Sequence, residues 1–172
     1  MNNREPYLLI ADDDPRIIDF YRQALGLPPT VEEQEADQEL DEMFSLLEGD
    51  DPFEEPAPSH CSAVTVTQGL EALRLFEERA AAGSPFDLAL LDMRMPPGID
   101  GLETALGLRE QAPDLPIIFF TAYSDHKDEH LEEQVGGNFC LLRKPIEEAV
   151  LRDQIRKMLP QGLCFEMPER SG

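Results

Sequence analysis

The sequence predicts an α/β domain in which five strands alternate with five helices. That order requires a mostly parallel sheet with helices on both faces. Three observations lead to it. Short apolar runs recur along the chain and stop abruptly at acids, at a threonine or at a lysine. The stretches between them place apolar residues at helical spacing. One apolar run, Phe86 to Leu91 with one Asp inside, ends at Asp92, and Pro96, Pro97 and Gly98 forbid its continuation.

In chain order, Tyr7 to Ala11 is a short strand that ends in Asp12-Asp13-Asp14-Pro15. Asp14 suits the N-cap and Pro15 the first position of a helix to Leu25, with Ile17, Ile18, Tyr21 and Leu25 on one face and Gly26 closing it. Ala63 to Thr67 is β-branched and strand-like. Gln68 to Ala82 reads as a helix with Leu70, Leu73, Leu75 and Phe76 mostly inward, broken by Gly83-Ser84-Pro85. After the Asp92 strand comes a helix from Gly101 to Gln111, then a buried strand from Leu115 to Phe120 ending at Thr121-Ala122. A polar helix about Asp125 to Gln134 stops at Gly136-Gly137. Phe139 to Arg143 is the fifth strand, closed by Lys144-Pro145, and an amphipathic helix about Glu147 to Leu159 follows. The tail 161–172 shows no element and reads as the start of a linker.

One region departs from this alternation. From Val31 to Ser59 there is no Lys or Arg, and the acids of this stretch supply over half of the net charge of −22. Ala36, Leu40, Met43, Phe44 and Leu47 recur as one apolar helix face, and a Pro-rich return from Pro52 to Pro58 follows. The segment about 27–60 is thus an acidic helical insert between the first helix and the second strand. Its stripe is expected to pack on the flank of its own domain, with a homodimer contact as the competing surface.

Bulk properties narrow the function. The 172 residues suit one domain, about 5–160, with enough apolar content for a core. No apolar run approaches the roughly 20 residues of a membrane span, and the N-terminus lacks a signal-peptide pattern. Three cysteines without metal-ligand spacing fit a reducing cytoplasm. The strongly negative charge argues against contact with nucleic acid.

Four strands end in chemistry: Asp12 and Asp13, Asp92, Thr121, and Lys144. Each alone has a plain reading, as a turn cap, a β-branched strand residue or a solvated lysine. A parallel sheet would gather all four sets along one edge. There, three carboxylates can hold Mg2+, a hydroxyl can bond a phosphoryl oxygen and an ammonium can neutralise added charge. A carboxylate that accepts a phosphoryl group needs that environment.

These motifs together resemble the response regulator receiver domains of two-component signalling. Ile10-Ala-Asp12-Asp13-Asp14-Pro15 looks like the family's acidic pocket and Leu91-Asp92-Met-Arg-Met95-Pro96 like its phosphoacceptor segment. Phe120-Thr121-Ala122 and Arg143-Lys144-Pro145 look like its Thr/Ser and Lys-Pro motifs. The resemblance implies a flavodoxin-like sheet of order 2-1-3-4-5 and a cis Lys144–Pro145 bond. It also implies Mg2+ on Asp12, Asp13, Asp92 and the backbone carbonyl of Arg94. Asp92 is then phosphorylated by a histidine kinase or phosphotransfer protein, and the protein is a phosphoacceptor rather than a turnover enzyme.

Three departures from the family pattern bear on mechanism. The loop after Asp92, Pro96-Pro97-Gly98-Ile99-Asp100-Gly101, is one residue longer than the family's. Leu141 stands where the family usually has a Tyr or Phe that changes rotamer, so an aromatic readout is not expected. The insert far exceeds the family's short connection. The competing reading is a haloacid-dehalogenase-like phosphohydrolase using Asp12 and Asp14. It leaves Asp92 idle and lacks the further acidic cluster that such enzymes carry. His126 and His130 at i, i+4 read as a solvated helix face. The phrases around Asp92 and Thr121 look like those of receivers at the N-terminus of longer signalling proteins, so an output domain beyond residue 172 is expected.

Overall fold

The computed structural model describes residues 5–27, 61–122 and 128–159, with the backbone alone at 128 and 129. The insert with its stripe from Ala36 to Leu47, the tail 161–172 and His126 lie outside the described residues. The elements are β1 (Tyr7–Ala11), α1 (Pro15–Leu25), β2 (Ser62–Val66), α2 (Gly69–Ala81) and β3 (Leu88–Asp92). They continue with α3 (Gly101–Gln111), β4 (Ile117–Thr121), α4 (Asp128–Val135), β5 (Phe139–Arg143) and α5 (Glu148–Met158). The strands form one parallel sheet of order β2-β1-β3-β4-β5, as expected.

Alternation along each strand divides the core into two layers. Leu9, Ala11, Ala89, Leu91, Ile117 and Phe119 face α2, α3 and α4, meeting Ala72, Phe76, Ala105, Leu108, Leu131 and Val135. Leu8, Ile10, Leu88, Leu90, Ile118 and Phe120 face α1 and α5, meeting Tyr21, Leu25, Leu151 and Ile155. Every residue of β3 is buried. The Asp inside its apolar approach pins the start of β1. Asp87 Oδ2 accepts from Tyr7 N at 2.8 Å, and Asp87 N donates to Tyr7 O at 2.8 Å.

Local chemistry sets the element ends. Asp14 caps α1, its side chain accepting from Arg16 N at 3.0 Å, and Gly26 closes the helix with φ +61°. Asp100 and Glu103 form a reciprocal capping box at the start of α3. Leu70, expected on an inward face of α2, is instead 62% exposed. Gly69, Ala72 and Phe76 define the face that packs, and Leu70 lies to one side of that line.

Candidate functional site

The register of the sheet brings the site together. Ala11 pairs with Leu91 across β1 and β3, so Asp12 and Asp92 leave their strands side by side at the carboxyl edge. Strand order reverses between these two strands, since β2 follows β1 on one side and β3 lies on the other. Ligands of open α/β sheets bind at such a switch point. Carboxylate oxygens of Asp12, Asp13 and Asp92 lie within 4.8 Å of one another. Asp12 is wholly buried, Asp92 is 8% exposed, and Asp13 is the most open of the three.

The Lys144 ammonium answers two of them. Lys144 Nζ donates to Asp12 Oδ2 at 3.0 Å and to Asp92 Oδ1 at 3.3 Å. The Lys144–Pro145 peptide is cis, as expected, and Lys144 N donates to Thr121 O at 2.8 Å, binding the ends of β4 and β5 to each other. Asp12 Oδ1 accepts from Asp14 N at 2.9 Å, which orients the buried carboxylate. Burial, then the nearby Asp12 charge, pushes the Asp92 carboxyl up to about 6, against the partial relief from Lys144. Burial likewise raises Asp12, opposed by Asp14 N and by Lys144. Asp12, Asp13 and Asp92 concentrate negative charge at this edge. A small, hard cation fits that donor set: oxygen ligands only, two fixed and one open to solvent.

The loop that carries Arg94 is built around close contacts. Gly101 N donates to Met93 O at 3.2 Å, and a Cβ at Gly101 would lie 2.2 Å from Asp92 O, so only glycine fits there. Gln68, just before α2, grips the longer loop with both ends of its amide. Its Nε2 donates to Pro96 O at 3.3 Å and its Oε1 accepts from Gly98 N at 3.2 Å. A second cis bond, Pro96–Pro97, lies in this loop.

The predicted residues fall into three groups. Asp12, Asp13, Asp92 and Lys144 converge. Thr121 ends β4 on the same edge, half-buried, one strand beyond Asp92. Arg94 is exposed two residues past Asp92. Leu141 is not at the cluster: it pairs with Phe119 and packs half-buried into the layer beneath α3 and α4. Asp14 is occupied by Arg16, whose guanidinium lies 2.8 Å away and holds the Asp14 carboxyl below its usual range. Asp14 thus serves as the N-cap of α1, the role expected of it. His130 sits on an exposed face, 4.0 Å from Glu133, as a solvated helix residue should.

Gln68 and Tyr21 are the additions to the sequence reading. Gln68 precedes a helix at the same sheet edge, a position that could have drawn notice. Tyr21 reads in the sequence as one apolar position of α1, and nothing in the periodicity speaks for its hydroxyl.

A parallel 2-1-3-4-5 sheet whose carboxyl edge carries three clustered acids, two of them bridged by a lysine, defines a phospho-accepting receiver domain. The family profile described as the response regulator receiver domain matches residues 56–156, well over half of the chain. The chain belongs to that family. The matched range begins near the end of the insert segment and omits β1 and α1, yet β1 lies inside the sheet between β2 and β3. The chain is similar to the response regulator protein PilR of Pseudomonas aeruginosa, 35% identical over 78 residues, covering 45% of this chain and 17% of PilR. It is also similar to the DNA-binding transcriptional regulator NtrC of Escherichia coli K12, 38% identical over 91 residues, covering 52% of this chain and 18% of NtrC. It thus spans less than a fifth of either relative. The fold matches that of Vibrio cholerae chemotaxis protein CheY4 with a TM-score of 0.61 at 20% identity, over 91% of this chain and all of that one. Among the described residues, no helix is long and apolar enough to cross a membrane.

Proposed function

We propose that Asp92 is the phosphoacceptor of this receiver, supplied by the phosphohistidine of a histidine kinase or a phosphotransfer protein. An Asp92 carboxylate oxygen attacks phosphorus as the bond from phosphorus to the donor nitrogen breaks. The electron pair leaves on that nitrogen, which takes up a proton. Mg2+ would be held by Asp12, Asp13, Asp92 and the backbone carbonyl of Arg94, and when bound it neutralises charge on the entering phosphoryl oxygens. Lys144 supplies a second positive charge, and the Thr121 hydroxyl stands on the neighbouring strand end to bond a phosphoryl oxygen. The observation that carries this reading is the shared lysine, 3.0 Å from one buried carboxylate and 3.3 Å from the other.

On this reading residues 5–160 form one receiver unit around the insert, and 161–172 lead toward an output domain in a longer cytoplasmic chain. The half-buried Leu141 supplies no aromatic readout, so the switch passes through Thr121 and the backbone leading into α4. A homodimer through the insert is the alternative to packing on the domain itself. Incubation with Mg2+ and acetyl phosphate should add one phosphoryl group, labile in acid as an acyl phosphate is, and Asp92→Asn should abolish it. Equal labelling of that variant would remove Asp92 from the role.

A further inference from the structure

Tyr21 is a buried polar residue beside the acid cluster for which the phosphoacceptor reading has no use. It is 1% exposed, with its ring edge-on to Phe120 at a centroid distance of 5.1 Å. Its hydroxyl has no hydrogen-bond partner of adequate geometry. A buried orphan hydroxyl is unfavourable, and phenylalanine would fill the same space without that cost. Tyr21 shares the wall of a cavity of about 170 Å3 with Lys144, Phe120 and Pro145. Burial, the charges of Asp12 and Asp92 and the nearness of Asp12 as an acceptor hold its proton far more tightly than an ordinary phenol's. The hydroxyl is thus a donor without a partner among the described residues, close to the Asp12 carboxylate.

The hydrogen bonds of Asp12 show when that donor is needed. Asp12 Oδ1 is occupied by Asp14 N at 2.9 Å, and Oδ2 depends on Lys144 at 3.0 Å. Lys144 is itself shared with Asp92 at 3.3 Å. A phosphoryl group on Asp92 adds about one further negative charge and presents strong acceptors, which draw the ammonium away from Asp12. Asp12 has no exposed surface through which water could replace the lost donor.

We infer that Tyr21 is a positioning residue, a reserve donor whose hydroxyl turns onto the Asp12 carboxylate when Lys144 moves to the phosphoryl oxygens on Asp92. The exchange keeps Asp12 in place for the metal and stabilises the phosphorylated form selectively. In the unphosphorylated form Lys144 still serves Asp12, which accounts for the unpartnered hydroxyl. The inference rests on the phosphoacceptor reading of Asp92.

The test compares the full chain with Tyr21→Phe, a change of one oxygen atom, and uses Asp92→Asn as a control. Mg2+ affinity is measured alone, and then the affinity for beryllium fluoride, a phosphoryl analogue, in saturating Mg2+. Tyr21→Phe should leave the first nearly unchanged and weaken the second about tenfold, the weight of one hydrogen bond to a charged acceptor. Its unphosphorylated Tm should equal or exceed the parent's, because an orphan hydroxyl has been removed. The ratio of the two affinities is the readout, so a general loss of packing, which moves both together, counts against the proposal. An unchanged beryllium fluoride affinity in Tyr21→Phe overturns the inference while leaving Asp92 in its role. A parent that binds beryllium fluoride no better than Asp92→Asn overturns both.

Discussion

The two edges of the sheet handle charge in opposite ways. At the amino edge of β4 and β5, Arg109 spreads one guanidinium over neutral backbone acceptors. Nη1 donates to Pro113 O at 2.6 Å, and Nη2 donates to Gly137 O at 2.8 Å and Asn138 O at 3.1 Å. Asn138, at φ +66°, returns a side-chain bond to Asp114 O at 2.8 Å. These bonds fasten the loops before β4 and β5 together, although the buried Arg109 Nε has no partner of its own among the described residues. At the carboxyl edge three carboxylates cluster, two of them, Asp12 and Asp92, share one lysine, and both of those are raised by burial. The difference teaches that this fold is braced by backbone hydrogen bonds at one edge and concentrates negative charge at the edge where the phosphoryl group is proposed to enter. A cation or a phosphoryl group can shift such a cluster. It has little hold on the braced edge.

The comparison can be broken most strongly at the metal ligands. Asp13→Asn should weaken Mg2+ binding by about tenfold or more by titration calorimetry, since even residues behind a ligand cost about that much when lost. Its melting temperature without metal should hold or rise. At the braced edge the effects should reverse. Arg109→Ala should lower stability by about 1–3 kcal/mol in urea unfolding, because several backbone carbonyls lose their donor, while Mg2+ affinity stays near that of the parent. Arg109→Lys should recover little, as an ammonium cannot reproduce the fork.

Asp92 sharpens the contrast through pH. Its carboxyl is raised from 3.8 to about 6 in the folded protein, so the folded state binds this proton more tightly than the unfolded chain. Its contribution is therefore most favourable at low pH and is lost as pH rises through about 4 to 6. Asp92→Asn should stabilise metal-free protein near neutral pH, by on the order of 1–2 kcal/mol, and raise its melting temperature, with the gain fading towards pH 4. Saturating Mg2+ should erase the advantage. The smallest effect belongs to Gln68→Ala, which releases two hydrogen bonds on the long loop. It should cost about 1 kcal/mol or less in stability, and hydrogen exchange should quicken at Gly98, whose amide it holds.

Much of this is legible in the residues because burial on both faces makes strands of parallel sheets read as unbroken apolar runs. β1, α1, α3 and β5 have the expected bounds, each closed by a proline, a glycine or a charge. β2 is the blurred case: it runs Ser62–Val66 rather than the expected Ala63–Thr67, because an edge strand is half-covered and its last threonine leaves the ladder. Leu70 misleads because helical spacing alone does not say which of two adjacent stripes meets the sheet. The acid cluster is legible from strand ends, since a parallel sheet carries them to one edge. The sharing of Lys144, the grip of Gln68 and the orphaned hydroxyl of Tyr21 are not, because each depends on distances between elements far apart in sequence.

The most direct measurement of the central claim is the position of the phosphoryl group. Protein incubated with Mg2+ and acetyl phosphate, reduced with borohydride to fix the acyl phosphate and mapped by peptide mass spectrometry should carry the reduced residue at position 92 alone. Modification at Asp12 or Asp13 with Asp92 intact would contradict the account.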